Sequence, residues 1–250
     1  MQSERKYVMS IAGFDPSGGA GLLADIKTLE QHKIYGLSIS TATTLQTENK
    51  FYSVEWEKTE TVLKSVDVLL DSYPVEIIKI GIVPSFAYLS QLVKHIKNKS
   101  TEIKIVLDPI IKSSTGFDFQ KTIDKKELVA VLKNIYLITP NMQEAMLLTD
   151  TANSKEAAKE LSELCSVLLK GGHNESEIGV DYLYTNGDCI ELKPTLTNLS
   201  AKHGSGCVLS AAIVSNLALG NDLQTACIEA KKYVEQFLNS NKSLLGFHHV

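Results

Sequence analysis

Short apolar runs alternate with helical stripes along almost all of this 250-residue chain. Residues 7–12, 35–40, 75–80, 103–107, 136–138 and 167–169 are short, continuous apolar runs and read as buried strands. Between them, residues 19–31, 59–71, 86–98, the segment around 128–132, 142–148 and 154–164 carry helical spacing; Val62, Leu63, Val66, Leu69 and Leu70 form one such stripe. Strands that alternate with helices in this way predict βαβ units and a mostly parallel sheet covered by helices on both faces. Residues 180–184 and 189–192 flank Asn186-Gly187, a strong signal for a hairpin turn. Residues 205–219 and 223–238 read as two final helices, broken at Gly220-Asn221. No repeat, low-complexity tract or linker interrupts the pattern. The expectation is one α/β domain spanning residues 1–250.

Composition narrows the function classes. Hydrophobic residues at 44% and charged residues at 22% suffice for a packed core, and a net charge of −4 speaks against a nucleic-acid surface. The longest apolar runs, such as 208–214 with Ser210 inside it, fall far short of the roughly 20 residues of a membrane helix. Residues 1–6 are polar and show no signal-peptide pattern, so a cytoplasmic protein is expected. Cys165, Cys189, Cys207 and Cys227 form no Cys-x-x-Cys pair and no zinc spacing, and are read as reduced thiols.

A doubly covered parallel sheet binds ligands outside the carboxyl ends of its strands, so the loops there carry the chemistry. The first, Gly13-Phe14-Asp15-Pro16-Ser17-Gly18-Gly19-Ala20-Gly21, is rich enough in glycine for close backbone approach to a ligand. It fails as a Walker loop, because no Lys-Ser/Thr follows its glycines. Gly19-Ala20-Gly21-Leu22-Leu23-Ala24 matches a dinucleotide fingerprint locally, but the second strand lacks the acidic residue that fingerprint needs. Asp108, ending the strand at Leu107, is either a turn or cap residue or a carboxylate pointing into the ligand crevice. Asn141 and Glu144 are spaced as a capping box, and Glu144 equally suits a place beside Asp108 at a hydrated magnesium ion. Lys170, followed by Gly171 and Gly172, is either a solvated lysine at a turn or a phosphate ligand; His173 reads as a surface residue. Lys202-His203-Gly204-Ser205-Gly206-Cys207 opens a helix with exposed N–H groups, an anion site by geometry and dipole. Cys207 sits in the first turn, where the dipole is expected to lower its pKa, against the alternative of a small buried apolar residue. The other three cysteines are expected to be packing residues.

These five loops, in this order, resemble the hydroxymethylpyrimidine/phosphomethylpyrimidine kinases of thiamine biosynthesis, within the ribokinase-like group. The resemblance runs from Ile11 to the tail Gly246-Phe247-His248-His249. It implies a three-layer sandwich and ATP-dependent phosphorylation of an aminopyrimidine alcohol and then of its monophosphate, with Mg²⁺. It also implies a homodimer through strands beside the active site. By resemblance, Gly204, Ser205 and Gly206 hold the transferring phosphoryl group and Cys207 is the base. Gln46, Gly13, Asp25 and Ile82 border the substrate. Lys170, Asn141 and Gly172 belong to the ATP site, and Asp108 and Glu144 to the magnesium site. Phe14 stands where the family carries a small hydroxyl residue, Ser205 where it carries threonine and Ile82 where methionine is common. The alternatives are a pyridoxal kinase of the same family, a sensor that has lost turnover and a nicotinamide dehydrogenase. The full set of Asp108, Glu144, Lys170, Gly204, Gly206 and Cys207 speaks against the sensor.

Overall fold

The computed structural model describes residues 5–111, 124–172 and 177–248. The alternation resolves into β1 (Tyr7–Phe14), α1 (Gly21–Gln31), β2 (Tyr35–Gln46), β3 (Phe51–Trp56), α2 (Thr59–Ser72), β4 (Ile77–Ile80) and α3 (Phe86–Lys99). Then come β5 (Lys104–Leu107), α4 (Lys125–Leu132), β6 (Leu137–Ile138), α5 (Met142–Thr149), α6 (Ser154–Ser162) and β7 (Ser166–Leu169). The hairpin β8 (Asp181–Thr185) and β9 (Asp188–Leu192) precedes α7 (Ser205–Ala218) and α8 (Leu223–Leu238). Among the described residues the strands form one sheet in the order β3-β2-β1-β4-β5-β6-β7-β8-β9. Strands β2, β1, β4, β5, β6 and β7 run parallel, and β3, β8 and β9 are antiparallel to their neighbours. The sheet is therefore mostly parallel, as expected.

The strand interiors are apolar on both faces, which is why they read as unbroken runs. Met9, Ile11, Ile78, Ile80, Ile105 and Leu107 point to a core shared with α2–α6. Their neighbours Val8, Ile77 and Val106 point to a second core with α1, α7 and α8. Helix α7 is buried from Cys207 to Leu217, packed against the sheet with α1 and α8 beside it. Its small residues Ser210, Ala211, Ala212 and Ser215 let the backbones approach, and the Ser210 and Ser215 hydroxyls donate to carbonyls one turn back. Asn186 and Gly187 both have positive φ, as a tight hairpin turn requires.

The structure departs from the sequence reading at one sheet edge. Strand β2 continues past Ser40 to Gln46 and turns back through β3, which the sequence reading missed. This hairpin alternates exposed and buried threonines and carries Leu45 and Tyr52 on its exposed side, so it lacks a continuous apolar run. Cysteine placement also needs a correction. Cys227 is buried and Cys165 partly so, but Cys189 is exposed, because it lies on the outer edge strand β9. All four thiols are free. No helix among the described residues is long and apolar enough to cross a membrane.

Candidate active site

The parallel strands β1, β4, β5, β6 and β7 deliver their following loops to one edge of the sheet, and the start of α7 lies there with them. Gly204 caps α7 with φ +75°, a left-handed conformation that glycine adopts without strain. A Cβ on Gly204 would stand 2.1 Å from the Gly19 carbonyl oxygen, so the first loop and the α7 start are in backbone contact. A Cβ on Gly206 would stand 3.3 Å from Lys170 Nζ and 3.7 Å from Asp108 Oδ2. Thus the α7 start, β5 and β7 converge on one point.

At that point sits a buried cation–carboxylate pair. Lys170 Nζ donates to Asp108 Oδ1 at 2.9 Å, with the Asp108 side chain 1% exposed. Thr139 Oγ1 donates to the same oxygen at 3.3 Å. Asp108 Oδ2, also buried, has no hydrogen-bond partner among the described residues. A buried carboxylate oxygen left unpaired is costly, and it is what a hard cation or its bound water takes. Burial pulls Lys170 down, but the charges of Asp108 and Glu144 carry it above the ordinary lysine value, so it remains a cation.

Both readings of Glu144 hold at once. The capping box forms: Asn141 N–H donates to Glu144 Oε2 at 2.7 Å and Glu144 N–H to Asn141 Oδ1 at 2.9 Å. Burial pushes the Glu144 carboxyl up to about 7; Lys170 pulls it back and Asp108 adds to the rise, so the cap shares a field with that pair. Asn141 spends its side chain on the cap, and its backbone bridges to Lys170, whose N–H donates to the Pro140 carbonyl. Gly172 faces open space. Gly171 N–H donates to Asp181 Oδ1, while Lys231 Nζ from α8 donates to Asp181 Oδ2, each at 2.8 Å. This anchor of the β7 loop was not foreseen. His173 and the stretch 112–116 lie outside the described residues.

Cys207 is buried at the same edge, and the expectation of a lowered thiol pKa is corrected. Burial pushes the thiol up to about 11; Lys79 and the Gly21 N–H act against this rise without cancelling it. Desolvation disfavours the thiolate, and the charges of Asp25 and Asp108 add to the rise.

Two of the substrate-side residues meet. Ile82 Cδ1 fills the space beside Gly13, 2.3 Å from where a Cβ would stand, and Thr41 Oγ1 fixes the Ile82 carbonyl at 2.7 Å. Gln46 ends β2, half-buried, on the hairpin beyond Phe14. Phe14 is 37% exposed. Asp25 is placed differently from a residue that lines a pocket. It is fully buried, accepting from Lys79 Nζ at 2.8 and 3.0 Å and from Ser10 Oγ at 2.6 Å. Ser10 and Lys79 reach it because alternate residues of β1 and β4 face α1. Lys79 was missed because it sits inside the strand run Ile-Ile-Lys-Ile.

The chain and its fold match known proteins. The family model described as phosphomethylpyrimidine kinase matches residues 15–249. The chain is 33% identical over 248 residues to the hydroxymethylpyrimidine/phosphomethylpyrimidine kinase of Aquifex aeolicus, covering 94% of this chain and 95% of that one. The crystal structure of phosphomethylpyrimidine kinase from Clostridium difficile superposes with a TM-score of 0.79 at 31% identity, covering 93% of this chain and 99% of that one. Bacillus subtilis pyridoxal kinase, solved as an ADP complex, superposes with a TM-score of 0.81 at 27% identity, covering 94% and 92%. The chain spans 45–48% of several longer curated relatives.

Proposed function

The chain belongs to the phosphomethylpyrimidine kinase family, and from that premise we propose that it transfers the γ-phosphoryl group of ATP to the hydroxymethyl oxygen of an aminopyrimidine. We propose a second transfer onto that monophosphate, giving the pyrophosphate used for thiamine. The observation that carries the reading is the unpaired, buried Asp108 Oδ2 beside Lys170 at the α7 start. Phosphoryl transfer asks a protein for positioning and charge neutralisation more than for covalent chemistry, and this point supplies both.

The N–H groups of Gly204, Ser205 and Gly206 face the transferring group, and Lys170 pairs with the nucleotide phosphates. Mg²⁺ fits the orphaned oxygen: Asp108 would hold it, with Glu144 alongside. Among the described residues no group of three or more His, Cys, Asp or Glu side chains forms a metal cage, so phosphate oxygens would complete the shell, as is usual for this ion. When bound, the ion neutralises charge on the phosphates. Asn141 and Gly172 border the nucleotide. Gln46, Gly13 and Ile82 border the pyrimidine, and Asp25 serves from the interior by holding Lys79. Cys207 is assigned the acceptor proton, which only its thiolate can take; burial pushes the thiol up to about 11 and makes that form scarce near neutral pH, so the base contributes less than the charge neutralisation.

The test is ADP release from Mg-ATP with hydroxymethylpyrimidine, its monophosphate and pyridoxal, side by side. Turnover on both pyrimidines is the expected result, and silence on both rejects the proposal. Turnover on pyridoxal alone establishes the second reading, which the likeness to the Bacillus subtilis enzyme favours; Phe14 then becomes the pocket residue to exchange. We also propose that the protein acts in the cytoplasm as a homodimer through the β2–β3 edge, where Leu45 and Tyr52 are more than half exposed. Sedimentation as a monomer at micromolar concentration would remove the dimer.

A further inference from the structure

Two residues tie the first loop to the α7 start, and the transfer chemistry gives neither of them a task. Asp15 is buried and takes four hydrogen bonds. Its Oδ1 accepts from Ser17 N–H at 2.9 Å. Its Oδ2 accepts from Ser17 Oγ at 2.8 Å, Ala20 N–H at 2.9 Å and His203 Nε2 at 3.0 Å. Burial pushes the Asp15 carboxyl up, but the hydrogen bonds from His203 and Ser17 bring it below the ordinary carboxylate value. An ionised carboxylate only accepts, so the His203 nitrogen facing it carries the proton.

Residues 241–245 close over this pair. His203 N–H donates to the Leu244 carbonyl at 2.9 Å, and Lys202 Nζ donates to the Asn241 carbonyl at 2.6 Å. A Cβ on Gly19 would lie 2.8 Å from both His203 Cδ2 and Leu245 Cδ2. Three segments, residues 13–20, 202–204 and 241–245, therefore lock together. The residue after His203 is Gly204, which caps α7.

We propose that Asp15 and His203 are positioning residues for phosphoryl transfer: they fix the α7 start against the first loop, and the tail 241–245 clamps them from outside. This rests on the reading of the α7 start as the phosphoryl site. The two loops come from opposite ends of the chain, 188 positions apart at this contact. Nothing local keeps them in register, and a displacement of 1 Å in such a site can cost about 10²-fold in rate.

The test compares His203→Leu, His203→Gln and Asp15→Asn with the parent chain. Steady-state rates with Mg-ATP and hydroxymethylpyrimidine are read together with ADP affinity, with and without aluminium fluoride, a mimic of the transferring phosphoryl group. His203→Leu and Asp15→Asn are expected to lower kcat by about 10²-fold with little change in KM for ATP, and to lose the affinity that aluminium fluoride adds to ADP. His203→Gln, whose amide can still donate to Asp15, is expected to recover most of both. Equal aluminium fluoride gains in the parent and in His203→Leu overturn the positioning role, as does a glutamine variant no better than leucine. A parent chain that gains nothing from aluminium fluoride overturns instead the reading of the α7 start. If His203→Leu does not fold, the contrast between His203→Gln and Asp15→Asn carries the same decision.

Discussion

The Asp25–Lys79 pair allows a quantitative test of what this core tolerates. Both side chains are at most 1% exposed, with the ion-pair contact at 2.8 Å and a further hydrogen bond from Ser10 at 2.6 Å. Burial raises the Asp25 pKa despite Lys79 beside it, so the pair is held against a large desolvation penalty. Substituting Asp25→Ala leaves a buried ammonium uncompensated, a change that costs about 3–5 kcal/mol. At about 2–4 °C per kcal/mol for a chain of this size, the midpoint of thermal unfolding should fall by roughly 6–20 °C. Replacing both partners, as Asp25→Leu with Lys79→Met, removes the charges together and should recover more than half of that loss. The exposed pair Arg5–Glu30, 44% and 60% exposed, serves as the control: Arg5→Ala should cost less than about 1 kcal/mol. Thermal and urea unfolding at pH 7, followed by far-ultraviolet circular dichroism, read the parent, these three variants and the singles Asp25→Leu and Lys79→Met. The reasoning is refuted if Asp25→Ala costs under about 1 kcal/mol, or if the double variant is as unstable as the sum of its singles. A folded double variant with a raised KM for the pyrimidine alone would return Asp25 to the substrate contact that the resemblance implies.

Four further outcomes are expected. Cys207→Ala should lower turnover while leaving ATP affinity nearly unchanged, and turnover within about threefold of the parent, under roughly 0.7 kcal/mol of barrier, removes Cys207 from the base role. In a Cys189→Ser background, alkylation of Cys207 should keep accelerating above pH 9 because burial places its thiol at about 11; a plateau below pH 8 contradicts that. Gln46→Ala should raise the KM for the pyrimidine more than that for ATP, and equal effects put Gln46 outside the substrate pocket. The folded-state pKa of Glu144, about 7, lies above its ordinary 4.5. Folding therefore favours the protonated form: the contribution is fully present below about 4.5 and is lost as pH rises through 7. Glu144→Gln keeps a capping residue and loses this dependence, so its stability relative to the parent should increase between pH 5 and pH 8. A difference that stays constant with pH would show that the carboxyl does not titrate in that window.

Local chemistry made much of this molecule legible. The apolar runs announced the parallel strands because both faces of the sheet are covered; strand ends then located Asp108 and Lys170, and the glycines before Cys207 located the α7 start. The capping box at Asn141 and Glu144 is a three-residue pattern, and it formed as spaced. What sequence did not reveal depends on partners far away in the chain. Lys79 reads as an interruption in a strand until Asp25, 54 positions earlier, folds against it. Asp181 gains its task only when Lys231 arrives from α8. The Cys207 pKa turned on burial and on the distant charges of Asp25 and Asp108, none of which the glycines before it reveal. The β2–β3 hairpin escaped because a half-exposed edge has no continuous apolar run.

The order of elements along the chain also bears on how the protein is made. β1 lies inside the sheet and is made well before α7 and α8, which cover one face of it. Until those helices emerge, Val8, Ile77 and Val106 have only α1 to shelter them, and the first loop has neither His203 nor Gly204 to rest against. At about 5–20 residues per second, that apolar face stays open for seconds during synthesis. A nascent chain halted before Gly204 would carry a nearly finished sheet with no catalytic edge and a large sticky surface, a natural target for chaperones. The contact between the first loop and Gly204 thus forms only after all nine described strands have been made.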